Sequence, residues 1–213
     1  MAGQESAMRR FERFRHALDL QEDTHQIIRS WVRDGNGVAF RELGTAHAYG
    51  LGVDEVQAFA VLYWQMGADL GDAVCQANLG SRFVRGHGVA MDVNEGFSYY
   101  VRSANQGHYA GIYGLAMCHE NGEGIATNLD TAWSLINKAL AAAHAAAGTD
   151  GGLAEDYLDD IHASLARINY KRGGGHGVVV FGGGGDVGGD WRERVVSIGM
   201  TGGRTTTASF GMD

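Results

Sequence analysis

The sequence lines up with itself, without gaps, when it is shifted by 36 residues. Leu43, Leu79 and Leu115 coincide, as do Gly44, Gly80 and Ala116. Gly50, Gly86 and Gly122 coincide, then Gly52, Gly88 and Gly124, then Val53, Val89 and Ile125. Further along the unit come Ala60, Gly96 and Ala132, then Ala68, Ala104 and Leu140, and Gly35, Gly71 and Gly107 close each unit. One shift that matches glycines, small residues and aliphatics together is a structural period, and a period of this length belongs to stacked supersecondary units. A single unit cannot bury its own apolar side; about three stacked units share a continuous core.

Each matched class has a mechanical job. The glycine pairs sit in YGLGV, RGHGV and NGEGI. A helix must stop there, and glycine enters the left-handed C-cap conformation without a Cβ penalty. Helix-starting chemistry follows: Asp92 with Glu95, and Asp54 with Gln57, have capping-box spacing, and Asn128 is an N-cap in the third unit. The small residues let helices approach closely, and bulky residues fill between units: Tyr63 with Trp64, Tyr99 with Tyr100, and Val61, Phe97 and Trp133 at one equivalent position. The expected unit is helix A (39–49, 75–85, 111–121), a glycine turn, and helix B (56–69, 92–105, 128–142).

The flanks differ from the repeats. Phe11, Phe14 and Leu18, then Ile27, Ile28, Trp31 and Val32, recur at helical spacing. Ile27 and Ile28 precede Tyr63 and Trp64 by 36 residues, so residues 22–34 read as a degenerate helix B capping the stack. Residues 153–170 form one more amphipathic helix, with Leu153, Tyr157, Leu158, Ile161, Leu165 and Ile168 on one face. From residue 173 onward 14 of 41 residues are glycine, a composition that buries little apolar surface and favours disorder. Two short apolar runs there, Val178–Phe181 and Val195–Ile198, are candidates to pair as strands or to dock on a partner. The expected organisation is residues 1–36 as N-terminal helices and cap, 37–146 as three repeats, 147–172 as a C-terminal capping helix, and 173–213 as a disordered tail.

Charge and composition exclude several function classes. The net charge of −8 opposes general nucleic-acid binding, which needs a basic stripe to neutralise phosphates, and opposes charge-driven binding to an anionic membrane. No apolar stretch is long enough for a secretory signal or a membrane span. Glu5, Glu12 and Asp19 interrupt the basic N-terminal run, so it makes a poor presequence. Cytoplasm is the expected location. Cys75 and Cys118 are expected to be reduced, buried thiols.

The pattern Leu-Gly, five residues, Gly-x-Gly-Val, followed by an alanine, an aromatic pair and Ala-x-x-Gly, resembles the Sel-one-like repeat (SLR) family, a relative of the tetratricopeptide repeat. The second unit, ANLGSRFVRGHGVAMDVNEGFSYYVRSANQGH, carries the pattern most fully. The first is nearly as complete, and the third has lost the aromatic pair. The family usually places proline after the Gly-Val pair, where Ala90 and Ala126 stand here. The resemblance covers residues 37–146. It implies an all-α solenoid of stacked helix-turn-helix repeats acting as an adaptor or scaffold, and it implies no particular partner. In related solenoids helix A lines the concave face. Once the core positions are set aside, helix A offers Arg41, Glu42, Asn78, Arg82, Arg85, Tyr113 and Met117 as candidate partner-binding residues. Asn78, Arg82 and Arg85 follow i, i+4, i+7 spacing, suited to bonding a peptide backbone and pairing with a carboxylate.

Sites with chemistry are less well supported. Gly183, Gly185 and Gly188 fit G-x-G-x-x-G after an apolar run, but the 25 residues that follow are too few for the βαβ unit that motif needs. His119, Glu120 and His108 are the nearest approach to a metal cluster, without ligand spacing. His47 and His119 share a repeat position with Phe83, which points to packing. Some secreted members of the resembled family cross-link each repeat through a cysteine pair and bind penicillin-like compounds; Cys75 and Cys118 lie 43 apart and out of register. The expectation is therefore a protein or peptide partner held in the concave groove, no catalysis, no cofactor and no metal. The alternatives are an unrecognised enzyme or small-ligand site, and a structural subunit that self-assembles.

Overall fold

The computed structural model describes residues 2–14, 22–148, 153–173, 178–180, 197–199 and 206–207. Among these the chain runs α1 (Ala2–Phe14), α2 (Glu22–Arg33), α3 (Gly37–Tyr49), α4 (Gln57–Asp69), α5 (Ala73–Arg85), α6 (Val93–Asn105), α7 (Tyr109–Asn121), α8 (Leu129–Ala146) and α9 (Leu153–Arg172). Three short strands follow, β1 (Val178–Val180), β2 (Ser197–Gly199) and β3 (Thr206–Thr207), antiparallel in that order. Most of the glycine-rich tail, including Gly183, Gly185 and Gly188, lies outside the described residues, as does Leu18. The chain divides into two compact units, residues 1–127 and 128–213.

In the first unit the helix A–turn–helix B order is the one the period predicts. Gly50, Gly86 and Gly122 end α3, α5 and α7 in the left-handed conformation, with φ of 66°, 69° and 79°. Their N–H groups donate to carbonyls of the helix just ended, Ala46, Arg82 and Cys118. An L side chain is strained there, so glycine at this position stops the helix and turns the chain.

The helix starts are more varied than the sequence suggests. The Asp92 carboxylate accepts from the backbone N–H of Asn94 and Glu95, at 3.0 Å each. The reciprocal half of the expected box is taken by the main chain, because the Asp92 N–H donates to the Phe83 carbonyl at 2.9 Å. In the first repeat the expected Asp54–Gln57 box does not form. Val56 is the N-cap, without a side-chain bond, and the Gln57 amide donates back to the Ala48 carbonyl and to Glu55. Asn36 and Asp72, which the spacing rule did not single out, cap α3 and α5 by accepting from Ala39 and Cys75.

Helices α1 and α2 join the first repeat through one cluster: Ala7, Phe11, Ile28, Val32, Phe40, Leu62, Tyr63 and Met66. A polar clasp fixes α1 on α4. Arg10 donates to Asp69 and Gln65 at 3.1 Å, and the Ser6 hydroxyl donates to Asp69 at 2.9 Å. A second cluster, with Trp64, Cys75, Leu79 and Tyr99, carries the core from the first repeat into the second.

In the second unit α8 packs on α9. Asn128 caps α8, its side chain accepting from the Thr131 N–H. Ala132, Ile136, Ala139 and Ala143 of α8 are buried, as are Ala154, Ile161 and Ile168 of α9. The small face of α8 allows close contact between the two helices. Arg172, at the end of α9, pairs with Asp130 at 2.7 Å and lies over the Trp133 ring.

Candidate interaction surface

The residues that hold the repeats together must be separated from those left facing outward. Two inter-repeat slots carry most of the fit. In the first, Trp64 of α4 is 1% exposed and its ring fills the space beside Gly44, where a Cβ would collide with it. Its indole N–H donates to the Arg41 carbonyl at 3.3 Å. In the second slot Tyr100 of α6 takes the equivalent position, its ring pressed between Gly80 of α5 and Gly114 of α7.

A small-for-large exchange runs beside these slots. A Cβ on Gly67 would strike the Cys75 sulfur, and one on Gly111 would strike Ser103. Gly67 and Ser103 share one register position, and Cys75 and Gly111 share another. Each junction thus holds one glycine and one larger residue, with the roles reversed. Position by position the glycines look irregular; read as pairs across the junction, each sets one glycine against one larger residue.

Polar groups lock the first junction. Arg102 donates to the Ala68 carbonyl at 2.7 Å, the Ser103 hydroxyl to the Ala73 carbonyl at 2.7 Å, and Gln106 to the Gly71 carbonyl and Gln76 at 2.9 and 2.8 Å. The α4–α5 connection is therefore fastened by two side chains of α6 and that of its C-cap, Gln106.

The candidate residues fall into two groups against this frame. Arg82 lies over the Trp64 ring, 5.1 Å from its centroid, and donates to Gln57 at 3.0 Å. Its register equivalents are Ala46 and Cys118, so Arg82 covers the outer side of the first slot. Arg41 is held by Glu42 at 3.0 Å and Asp72 at 3.8 Å. Tyr113 and Met117 of α7 are half-buried. Arg85 is exposed, Asn78 half-buried and Glu42 exposed. Neither Asn78 nor Arg85 has a hydrogen bond or ion pair among the described residues. The i, i+4, i+7 series is therefore divided: Asn78 and Arg85 keep open donors, while Arg82 is committed to Trp64.

Side chains that the spacing did not select also reach this surface. Tyr49 and Asn121 share the register of Arg85, and all three are exposed. The register carries that signal at this position, which is exposed in all three repeats.

The titratable groups inside the fold are tuned by burial. Burial pushes the Cys118 thiol up to about 12 and the Cys75 thiol upward as well, so both remain protonated thiols. Tyr63 is likewise pushed up to about 12 by burial. His47 lies stacked on Tyr63 at 5.5 Å, and Phe83 stacks on Tyr99 at 5.6 Å in the same relation. His119, the third member, stands edge-on to Phe97 at 6.3 Å. Its Nδ1 is buried without a hydrogen-bond partner, and burial lowers its pKa. Among the described residues no three His, Cys, Asp or Glu side chains converge on a point that could hold a metal ion. No helix among them is long and apolar enough to cross a membrane.

The Sel1 repeat family matches three segments of the chain, residues 41–72, 73–108 and 110–144. Protein sel-1 homolog 2 of Homo sapiens is 31% identical over 80 residues, which is 38% of this chain and 12% of that protein. The crystal structure of a Sel1 repeat protein from Oxalobacter formigenes is similar at 29% identity and a TM-score of 0.47, covering 66% of this chain and 99% of that one. A protective antigen present in uropathogenic Escherichia coli strains, displaying an SLR fold, matches at 24% identity and a TM-score of 0.50, over 80% of this chain and 38% of the other. The 36-residue period, the paired glycine caps and the junctions of matched small and large residues are thus those of stacked Sel1 repeats, three of which the chain carries between residues 41 and 144.

Proposed function

We propose that this chain is a protein-interaction scaffold, without catalysis, that binds an extended peptide or a helix of a partner protein along the groove side of its A helices. Sel1 repeat proteins are generally protein-interaction scaffolds. The observation that carries the reading is the pair of open donors on α5. Asn78 and Arg85 are two turns apart on one helix, and neither is engaged by the described residues. An amide satisfies a peptide backbone, and a guanidinium pairs a carboxylate in a two-point contact. Glu42, in register with Asn78, adds an acceptor on the neighbouring A helix, and Tyr113 and Met117 on α7 supply apolar contact. Arg41 and Arg82 support this surface from beneath, through Asp72 and Trp64. Cytoplasm remains the proposed location.

The test compares partners captured from cells by the wild-type chain and by an Asn78→Ala, Arg85→Glu double variant. Lys138→Glu, an exposed change on α8, serves as the control. The expected result is loss of the specific partners from the double variant alone. Retention of every partner by that variant overturns the assignment of the surface.

A further inference from the structure

Neutral imidazole is a good ligand for transition ions, but inside the repeats histidine serves packing. His47 stacks on Tyr63, and its Nδ1 lies 3.1 Å from the Asp54 carbonyl oxygen. His119 holds the register at which the second repeat has Phe83. His144 is different. One, two and three periods earlier its position is the N-cap of an A helix, held by His108, Asp72 and Asn36. No A helix begins at residue 144, because α8 runs on through it to Ala146. Residues 141–147 are alanine apart from His144, and alanine is the strongest helix former. The one polar side chain of that stretch is thus released from capping.

That side chain meets a second histidine. The rings of His144 and of His162 on α9 have centroids 6.4 Å apart and planes at 52°. Both residues are exposed, and neither ring has a hydrogen bond or ion pair among the described residues. Their backbones are held in place, because Ala143 and Ile161, the residues directly before them, are fully buried. Only the two side-chain torsions of each ring remain to be set. A helix C-terminus favours a cation, which accounts for one histidine in the last turn of α8. It does not account for a second imidazole facing the first, since two like charges at that distance repel. Neutral, each ring offers a nitrogen lone pair. Two imidazoles on one tetrahedral ion, with metal–nitrogen bonds of about 2.0–2.1 Å, place their ring centres about 5 Å apart. Rotation of two exposed side chains covers the difference.

We propose that His144 and His162 together bind one divalent transition ion of the kind imidazole prefers, Cu²⁺, Ni²⁺ or Zn²⁺, and that the ion cross-links α8 to α9. Among the described residues no group of three His, Cys, Asp or Glu converges on a metal position. Water therefore completes the coordination, and the affinity falls short of a four-ligand structural site. The site works as a chelate. Once one ring holds the ion, the other is already carried beside it by a packed helix and adds its bond as an intramolecular step. The site uses no residue of the α5 surface.

Isothermal titration of the untagged full-length chain at neutral pH with CuCl₂, ZnCl₂ and MgCl₂ tests it. The wild type is expected to take up one equivalent of Cu²⁺ or Zn²⁺, Cu²⁺ the more tightly, and to bind Mg²⁺ far more weakly, because Mg²⁺ prefers oxygen ligands. His144→Ala and His162→Ala should each weaken that uptake more than about tenfold, since losing even a residue that supports a ligand costs about that much. The double variant should lose little more than either single one, because both rings serve one ion. His87→Ala, at an exposed histidine of the second glycine turn, should leave the uptake unchanged. Far-UV circular dichroism checks that each variant keeps its helix content, and glutamine replaces alanine at either position if helix is lost. The electron paramagnetic resonance spectrum of the one-equivalent Cu²⁺ complex should show two coordinated nitrogens. Absence of a one-equivalent site overturns the proposal. So does uptake that survives either substitution undiminished, single losses that multiply in the double variant, or Mg²⁺ bound as tightly as Zn²⁺, which would mark a carboxylate site.

Discussion

The two junctions inside the first unit solve one geometrical problem with different chemistry. At the first, Trp64 fills the slot and a cation, Arg82, covers its outer side. At the second, Tyr100 fills the slot and bare backbone closes both sides, at Gly80 and Gly114. Gly114 holds the register of Asn78, so the position that offers an amide outward in one repeat is an inward wall in the next. The stack therefore fills each slot with an aromatic ring and leaves its lining free to vary. That freedom lets one repeat present an open amide at Asn78 where the next presents the buried Gly114.

The largest expected effect comes from emptying the first slot. Trp64→Ala removes a fully buried ring and should cost about 3–5 kcal/mol of unfolding free energy, read from urea denaturation. Tyr100→Ala should cost less, since Tyr100 is only partly buried. Equal costs would show that the two slots bear the same load. Next comes overfilling of the second slot. Gly114→Ala should cost about 1–3 kcal/mol, because its Cβ meets the Tyr100 ring. Asn78→Ala, at the same register position, should change stability by less than about 0.5 kcal/mol. A similar cost at both sites would break the contrast between an inward and an outward position.

The smallest effect expected is a pH dependence confined to the second junction. His119 has its pKa lowered by burial, so the folded state favours the neutral ring. Below the unfolded value of about 6.5 the unfolded chain binds the proton more readily, and stability falls as pH drops from there towards the lowered folded value. His119→Phe, which copies Phe83 from the repeat before, should flatten that part of the stability–pH curve. Denaturation midpoints between mildly acidic and neutral pH measure it, and an unchanged slope removes His119 as the cause.

Much of this molecule can be read from the period alone. The stops at Gly50, Gly86 and Gly122, and the starts at Asp92 and Asn128, follow from local backbone chemistry, which a sequence states directly. The start of α4 does not, because Asp54 sits two residues ahead of the N-cap Val56, and Gln57 is drawn back to a carbonyl of the preceding helix. The division between Arg82 and Arg85 is a tertiary effect. Helical spacing places them near one face, but Trp64 lies beside one of them and not the other. The register held a clue, since Arg82 stands where Ala46 and Cys118 are small, and Arg85 where Tyr49 and Asn121 are exposed. The Gly67–Cys75 and Ser103–Gly111 exchange is legible only when residues are paired across a junction, because neither column of the repeat shows it by itself.

That exchange makes the repeats non-interchangeable. Excising residues 73–108 would bring Gly67 opposite Gly111 and leave a hollow. Inserting a second copy of that segment would set Ser103 against Cys75, with no room for both. The order of the units is thus written into their edges, as notches cut to match one neighbour. A longer version of this protein would have to be built by recutting one side of every new seam.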